Sequence, residues 1–483
     1  MAQPATSDSN VLTTLDDRVP TAFYWQLTLL ATLGGFLFGY DTSNIGSALN
    51  FVPYHLHGLA LGYLVSGASL GAAAGAILAG PISDHFGRKK LLVVDAGIYA
   101  VGAILSAVTP DAAVLLVART LIGLAIGADS AIATAYIAEY APKNRRGSLT
   151  MLQQWMITVG ILISYIVALI IFSAFPGSAA TVGWRLVLGL GAVPALIGLA
   201  LRTQMPESPR WLLRHGRYED VQKAMAALGT EASMEDVKRA ATVIEQVEGG
   251  SREQRRQAWT PGVRRALIVV SVFFIFQQIT GINVPLYYGP HLLGPIFSGA
   301  HATLVQTTVA GVEVTSIMTA VNVASTYLGF RWIDKFGRRK LSMGGYTGMI
   351  VFALVAAAGL TLTHGTFRLV VIMIGLDFFI ASFAIGVGGT GWTLQGEVFP
   401  TAVRGQAAAF CAMIDWLANF ALIEAFPVTQ NAISLSGVLV VFAGLAALAI
   451  VFIWKFLPET KNLSVEEIIG LFEHQQTTLP KAS

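Results

Sequence analysis

Residues 84–90 read DHFGRKK, and residues 334–340 read DKFGRRK. Each stretch packs one acid and at least three basic side chains into seven positions. The chain around them is of the opposite kind. It is 54% hydrophobic and 12% charged, against roughly 25% charge in a soluble domain. Outward from the two knots lie long apolar runs, among them residues 21–39, 91–108, 184–201 and 437–457. Each is close to the ~20 residues that cross a ~30 Å hydrocarbon core. One soluble core could not absorb so many such segments. The sequence therefore predicts an all-α membrane protein that crosses the bilayer many times.

A pass for apolar runs gives twelve spans: 22–47, 59–82, 91–109, 113–138, 149–173, 184–203, 264–293, 303–331, 341–363, 367–396, 404–428 and 434–457. Gly67, Gly71 and Gly75 form a row of small residues, as do Gly123, Gly127 and Ala131; such rows let helices approach closely. The first 20 residues are polar and lack the basic start and short apolar core of a cleavable signal peptide. With an even number of spans, both termini share a side. That side collects Arg88, Lys89, Lys90, Lys143, Arg145, Arg146, Arg331, Lys335, Arg338, Arg339, Lys340 and Arg404. The opposite loops hold chiefly Arg185 and Arg368. The positive-inside rule puts the basic side in the cytoplasm. The expected organisation is a cytoplasmic tail (1–20), a six-helix half (21–204), a cytoplasmic helical linker (205–262), a second six-helix half (263–458) and a second cytoplasmic tail (459–483). The linker shows helical spacing in YEDVQKAMAAL and MEDVKRAATVIEQV, and is expected to pack under both halves.

The knots belong to an internal duplication. Glu139 and Arg146, in EYAPKNRRG, return as Glu397 and Arg404 in EVFPTAVRG. Pro206-Glu207-Ser208 returns as Pro458-Glu459-Thr460. All three landmarks recur at nearly one offset. Parallel six-helix repeats are the plan of a rocking transporter, whose substrate site lies near the midplane between them. Gly87 and Gly337 allow a tight turn with close backbone approach. The acids and arginines can then pair with glutamates at nearby helix ends. This predicts a cytoplasmic gate of Asp84, Arg88, Glu139, Arg146, Glu207 and Arg210, repeated as Asp334, Arg338, Glu397, Arg404 and Glu459. One exposed pair contributes only about 0–1 kcal/mol. A shielded network could bias a two-state equilibrium by a few kcal/mol, which is a useful size. The blander reading, charges that only enforce topology, leaves the paired glutamates unexplained.

In these motifs the sequence resembles the sugar porter family of the major facilitator superfamily. The resemblance runs from about residue 22 to 465. It is carried by FGYD (38–41), DHFGRKK, RTLIGLAIG (119–127), PESPRWL (206–212), QQITGIN (277–283), DKFGRRK, EVFPTAVRG and PETKN (458–462), all in order. It implies the major facilitator fold and a substrate site drawn mainly from the second half: Gln277, Gln278, Asn283, Tyr287, Asn322, Gly388, Trp392, Trp416 and Asn419, with Gln154 from the fifth span. The residue types suit a sugar. Its hydroxyls donate and accept, and Asn and Gln side chains do both without net charge. Trp offers a flat face for the C–H side of a pyranose. Hydrogen bonding between helices is the alternative use of such amides. Asp415 departs from the family pattern, which has Asn or Gln there. It can accept two hydroxyls, favour an amine-bearing substrate, or bind a proton.

Asp41 lies past the middle of the first span, and an ionisable group there is a functional candidate by default. The resemblance implies a proton symporter, because family members with Asp here resemble symporters and passive facilitators tend to carry Asn. Arg119, in the outer half of the fourth span, is the matching cation. Burial and Arg119 would pull the carboxyl in opposite directions. A static ion pair in a passive uniporter is the alternative. Asp129, Glu313, Asp377 and Glu424 also fall within spans and are rivals. Pro285 is the expected hinge of the seventh span. His55, His57, His291, His301 and His364 fall on the external side.

The expected function is secondary active transport of a monosaccharide across the plasma membrane by alternating access, with sugar:proton symport preferred. A hexose uniporter, a polyol symporter and a non-transporting sugar receptor are alternatives. The expected partners are the monosaccharide, the proton and the bilayer, with the chain a monomer. The net charge of +3 is too small to suggest nucleic acid. No nucleophile–base pair, metal-ligand cluster or phosphate loop is readable, so no catalytic residue, metal or cofactor is expected. Cys411, the single cysteine, cannot form an internal disulfide. The lack of an external glycosylation sequon favours a prokaryotic source.

Overall fold

The computed structural model describes residues 22–140, 146–227, 232–248, 256–463 and 465–474. Among these residues the structure is helical throughout, with no strand. The first half consists of spans Ala22–Ala48, Leu59–Phe86, Arg88–Val108, Ala112–Tyr140, Arg146–Ala174 and Pro176–Arg202. The second begins with Pro261–Ile279, continued by Asn283–Tyr287 and Gly289–Phe297. Leu304–Phe336, Arg338–Leu362 and Gly365–Glu397 follow. Spans eleven and twelve are the two arms of one run, Thr401–Phe456, bent at Ser434 (φ 64°, ψ 167°). This gives twelve spans in two halves, the major facilitator fold.

The knots become the turns between spans two and three and between spans eight and nine. Gly87 and Gly337 take φ of 100° and 86°, a conformation that side-chain-bearing residues rarely adopt. A Cβ at Gly87 would overlap the Glu207 carboxylate, and one at Gly337 that of Glu459. The turn thus needs glycine twice over. The small-residue rows also find their use. Gly71 and Gly75 of span two press on the Thr120 and Leu124 carbonyls, while Gly123 and Gly127 of span four press on those of Ala68 and Ala72.

Two breaks shape the middle of the second half. Span seven stops at Ile279 and restarts at Asn283, around Gly281 with φ 89°. The expected hinge, Pro285, instead sits inside the short Asn283–Tyr287 turn, so the break comes earlier. Proline is tolerated in a helix's first turn, where its missing N–H is not needed. Span ten widens into a π-turn at Ala384–Gly388, a feature often found at functional sites.

The linker forms Pro209–Arg214, Tyr218–Ala227 and Met234–Glu248. Trp211, Leu212, Val221, Met225, Val237 and Ala240 are buried in one apolar cluster with Leu27, Leu92 and Ile132 of the first half. The apolar stripes of these linker helices cover the first half, while Ala258 and Trp259 at the end of the linker pack against the cluster that holds the second half. The second half has its own cover, the helix Val465–His474, which packs on Pro261–Ile279 and buries Ile468 and Phe472.

Candidate substrate and proton sites

A cavity of about 70 Å³ lies between the halves, with room for several waters. All the residues expected to contact substrate line it: Gln154, Gln277, Gln278, Asn283, Tyr287, Asn322, Gly388, Trp392, Asp415, Trp416 and Asn419. The break after Ile279 turns Asn283 back toward Gln278, and Asn283 Nδ2 donates to Gln278 Oε1 at 2.8 Å. Gln278 Nε2 then donates to Asp415 Oδ1 at 2.7 Å. Asp415 Oδ1 is thus the acceptor on which the chain of bonds ends. Gln277 Nε2 donates to the Gly388 carbonyl at 3.0 Å, a contact set up by the π-turn. Gln277 Oε1 and Trp416 Nε1 are buried without a hydrogen-bond partner. Such atoms are costly unless a ligand or water completes them. Phe38 meets Trp416 edge-on at 4.8 Å, and Phe274 meets Trp392 at 5.3 Å. Phe38, Thr42, Ile282 and Phe383 line the same cavity. They escaped the sequence reading because ordinary apolar and hydroxyl residues carry no signal in a membrane helix.

Asp41 and Arg119 are brought together in the interior, with 1% and 0% of their surfaces exposed. Arg119 Nη1 lies 2.5 Å from Asp41 Oδ1, and Arg119 Nε donates to the Leu64 carbonyl at 3.3 Å. Asp41 Oδ2 and Arg119 Nη2 lack hydrogen-bond partners. The neighbour of Asp41 in the chain, Thr42, is on the wall of the central cavity. A shift of span one that accommodates a ligand would therefore also move Asp41.

The two knots assemble alike. Arg88 Nη2 lies 2.9 Å from Asp84, and Nε lies 3.3 Å from Glu139. The N–H groups of Arg88 and Lys89 donate to Glu207 at 2.9 and 3.1 Å. Arg338 lies 3.0 Å from Asp334 and 2.5 Å from Glu397, while the N–H groups of Arg338 and Arg339 donate to Glu459 at 2.9 and 3.2 Å. None of these contacts crosses from the first half to the second. Arg404 Nε donates to the Phe399 carbonyl at 3.0 Å. Arg210 is half-buried in Pro209–Arg214. The Arg146 side chain lies outside the described residues.

At the end opposite the knots, polar contacts cross between halves. Asn50 Nδ2 donates to Thr308 Oγ1 at 3.0 Å, and Asn50 Oδ1 meets His291 Nδ1 at 2.6 Å. Tyr165 donates to the Leu286 carbonyl at 2.5 Å, and Ser66 to Glu424 at 2.7 Å. Of the rival acids, Glu424 belongs to this seam, Glu313 is exposed, Asp377 is half-buried, and Asp129 pairs with Arg202 at 2.5 Å. Asp95, buried beside that pair, was missed, although an acid inside an apolar run was signal enough.

Two repeated helical halves, closed at one end over a polar cavity, define a membrane carrier. The chain belongs to the sugar (and other) transporter family, whose profile matches residues 27–472. It is 33% identical over 476 residues to the arabinose-proton symporter of Bacillus subtilis (strain 168), covering 96% of this chain and 99% of that one. It is also 33% identical to the D-xylose-proton symporter of Escherichia coli (strain K12), over 95% of this chain and 98% of that one. The partially occluded, inward-open structure of the E. coli xylose transporter XylE superposes with a TM-score of 0.77 at 29% identity, covering 92% of this chain and all of that one.

Proposed function

We propose that the chain carries a monosaccharide across the plasma membrane by alternating access, driven by proton entry. The observation that carries this reading is the joining of two sites at Asp41-Thr42. A cavity rich in neutral amides and tryptophans meets a buried, titratable ion pair within one helical turn. The relatives named as sugar–proton symporters point the same way. In this reading Asn283, Gln278, Gln277, Gln154, Asn322 and Asn419 bond sugar hydroxyls, and Trp392 and Trp416 cover its C–H faces. Asp41 takes a proton from outside, its hold on Arg119 weakens, and span one is freed to close around the sugar. One proton moving down 100 mV supplies about 2.3 kcal/mol. At about 1.4 kcal/mol per tenfold, that supports a sugar gradient of roughly fiftyfold.

We take the knotted end and both termini as cytoplasmic, a reading that the basic loops support. We take residues 21–204 and 263–458 as the moving halves, 205–262 as their linker, and one chain as the working unit, since its own two halves enclose the cavity. The sequence predicts a gate at the knots; because none of their contacts crosses between the halves, we read them instead as braces that keep the cytoplasmic end of each half rigid while it rocks. The absence of an external sequon supports a prokaryotic source. Uptake of labelled pentoses and hexoses into sealed vesicles tests the reading. Accumulation above equilibrium is expected with an inward proton gradient and not without one. Equal, non-concentrative uptake in both conditions would reduce the protein to a uniporter.

A further inference from the structure

A second ion cluster lies in the first half, nearer the knotted end than Asp41, and the transport cycle above does not use it. Asp95 of span three and Asp129 of span four are each 3% exposed, and Arg202 of span six is 1% exposed. Arg202 Nη1 stands 2.5 Å from Asp129 Oδ1. The same guanidinium donates to the carbonyl oxygens of Leu92 at 2.9 Å and Leu30 at 3.3 Å. Asp95 Oδ2, both oxygens of Asp129 and Arg202 Nη2 nevertheless lack a hydrogen bond of proper geometry. All three side chains line one cavity of about 10 Å³, the scale of a single water. Span one makes the room: a Cβ on Gly34 would overlap the Asp129 carboxylate.

Two carboxylates face one guanidinium, so the cluster carries one uncompensated negative charge when both acids are ionised. An isolated buried charge is costly enough that the group neutralises instead. A metal cation would meet the guanidinium in the same small cavity, so the ligand that fits is a proton. Among the described residues, Tyr99 is the one other titratable group on the cavity wall. Its hydroxyl donates to the Leu37 carbonyl at 3.0 Å.

We propose that Asp95 and Asp129, balanced by Arg202, form a second proton-binding site that holds one exchangeable proton on the cytoplasmic side of the Asp41–Arg119 pair. Binding converts one carboxylate to a carboxylic acid, and release returns the proton to water. Arg119 and Asp129 are ten residues apart on span four, roughly 15 Å along the axis. The two sites are thus stacked along one helix. A role in coupling rests on the symport reading, whereas proton binding itself does not.

Infrared difference spectra of the full-length protein in lipid, recorded across a pH titration in H₂O and D₂O, test the site. The expected signal is a deuterium-shifted carbonyl band of a buried carboxylic acid that titrates with pH. Asp95→Asn and Asp129→Asn should each abolish that band, because the remaining carboxylate is balanced by Arg202. Asp41→Asn should keep it. Sugar affinity within about threefold of the parent reports that a variant is folded. Should Asp129→Asn fold poorly, having left Arg202 without its partner, Asp95→Asn decides alone. A parent-minus-variant difference spectrum that shows no such band for Asp95→Asn, or a band that ignores pH or responds to sodium instead, overturns the proposal. A parent that never accumulates sugar yet shows the band would sink symport and leave this site standing.

Discussion

At the scale of single residues, two side chains carry separable tasks. Asn283 starts the chain of bonds through Gln278 to Asp415. Asn283→Ala removes a donor and leaves Gln278 Oε1 without its partner. An unsatisfied buried acceptor costs about 1–3 kcal/mol, which corresponds to a loss of sugar affinity of roughly fivefold to 150-fold. Calorimetry on purified protein reads this directly, and unchanged affinity would remove Asn283 from the site. Asp41 is the other. Asp41→Asn keeps an oxygen that can accept from Arg119 and removes only the titratable charge. The variant should still exchange sugar across vesicles while losing gradient-driven accumulation. Accumulation that survives intact would dismiss Asp41 as the coupling residue. If Asp415→Asn uncouples in its place, the carboxylate against Gln278 is the coupling group.

At the scale of elements, the turns decide how helix ends meet. Gly337 combines φ of 86° with contact against Glu459. An alanine there is strained by about 1–3 kcal/mol and pushes Glu459 off the N–H groups of Arg338 and Arg339. Gly337→Ala, and Gly87→Ala by the same geometry, should therefore lower the melting temperature by several degrees. Gly344 in span nine is the control: it is helical, with nothing within 4 Å of an added Cβ. Gly344→Ala should be neutral or slightly stabilising. Equal melting temperatures for all three variants and the parent would show that the turns tolerate side chains.

At the scale of the whole molecule, the seam opposite the knots holds the two halves together. Asn50 makes two of its bonds, to Thr308 and His291. Each is worth about 1 kcal/mol, so Asn50→Ala should shift the balance toward outward-open forms by roughly thirtyfold. A cysteine introduced at the cavity position Ile157, in a Cys411→Ser background, should then react faster with an impermeant external reagent. An unchanged rate would show that apolar packing alone closes this side.

Much was readable from the sequence by itself. Twelve apolar runs, the repeated DHFGRKK and DKFGRRK knots and the recurring glutamates determine a two-half helical bundle, because the bilayer demands long apolar helices and a duplication demands like neighbours for like motifs. The polar residues of the central cavity were readable through the family resemblance, because QQITGIN and its companion motifs mark them, and their amides and tryptophans suit a sugar. The structure decided what lies across space. It brought Asp95 to Asp129 and Arg202, packed the linker helices under the first half, moved the span-seven break ahead of Pro285, and turned the Gln278 amide toward Asp415. The reason is physical. Helical period says which residues share a face, but which face meets which is settled by packing and hydrogen bonding among spans far apart in the chain.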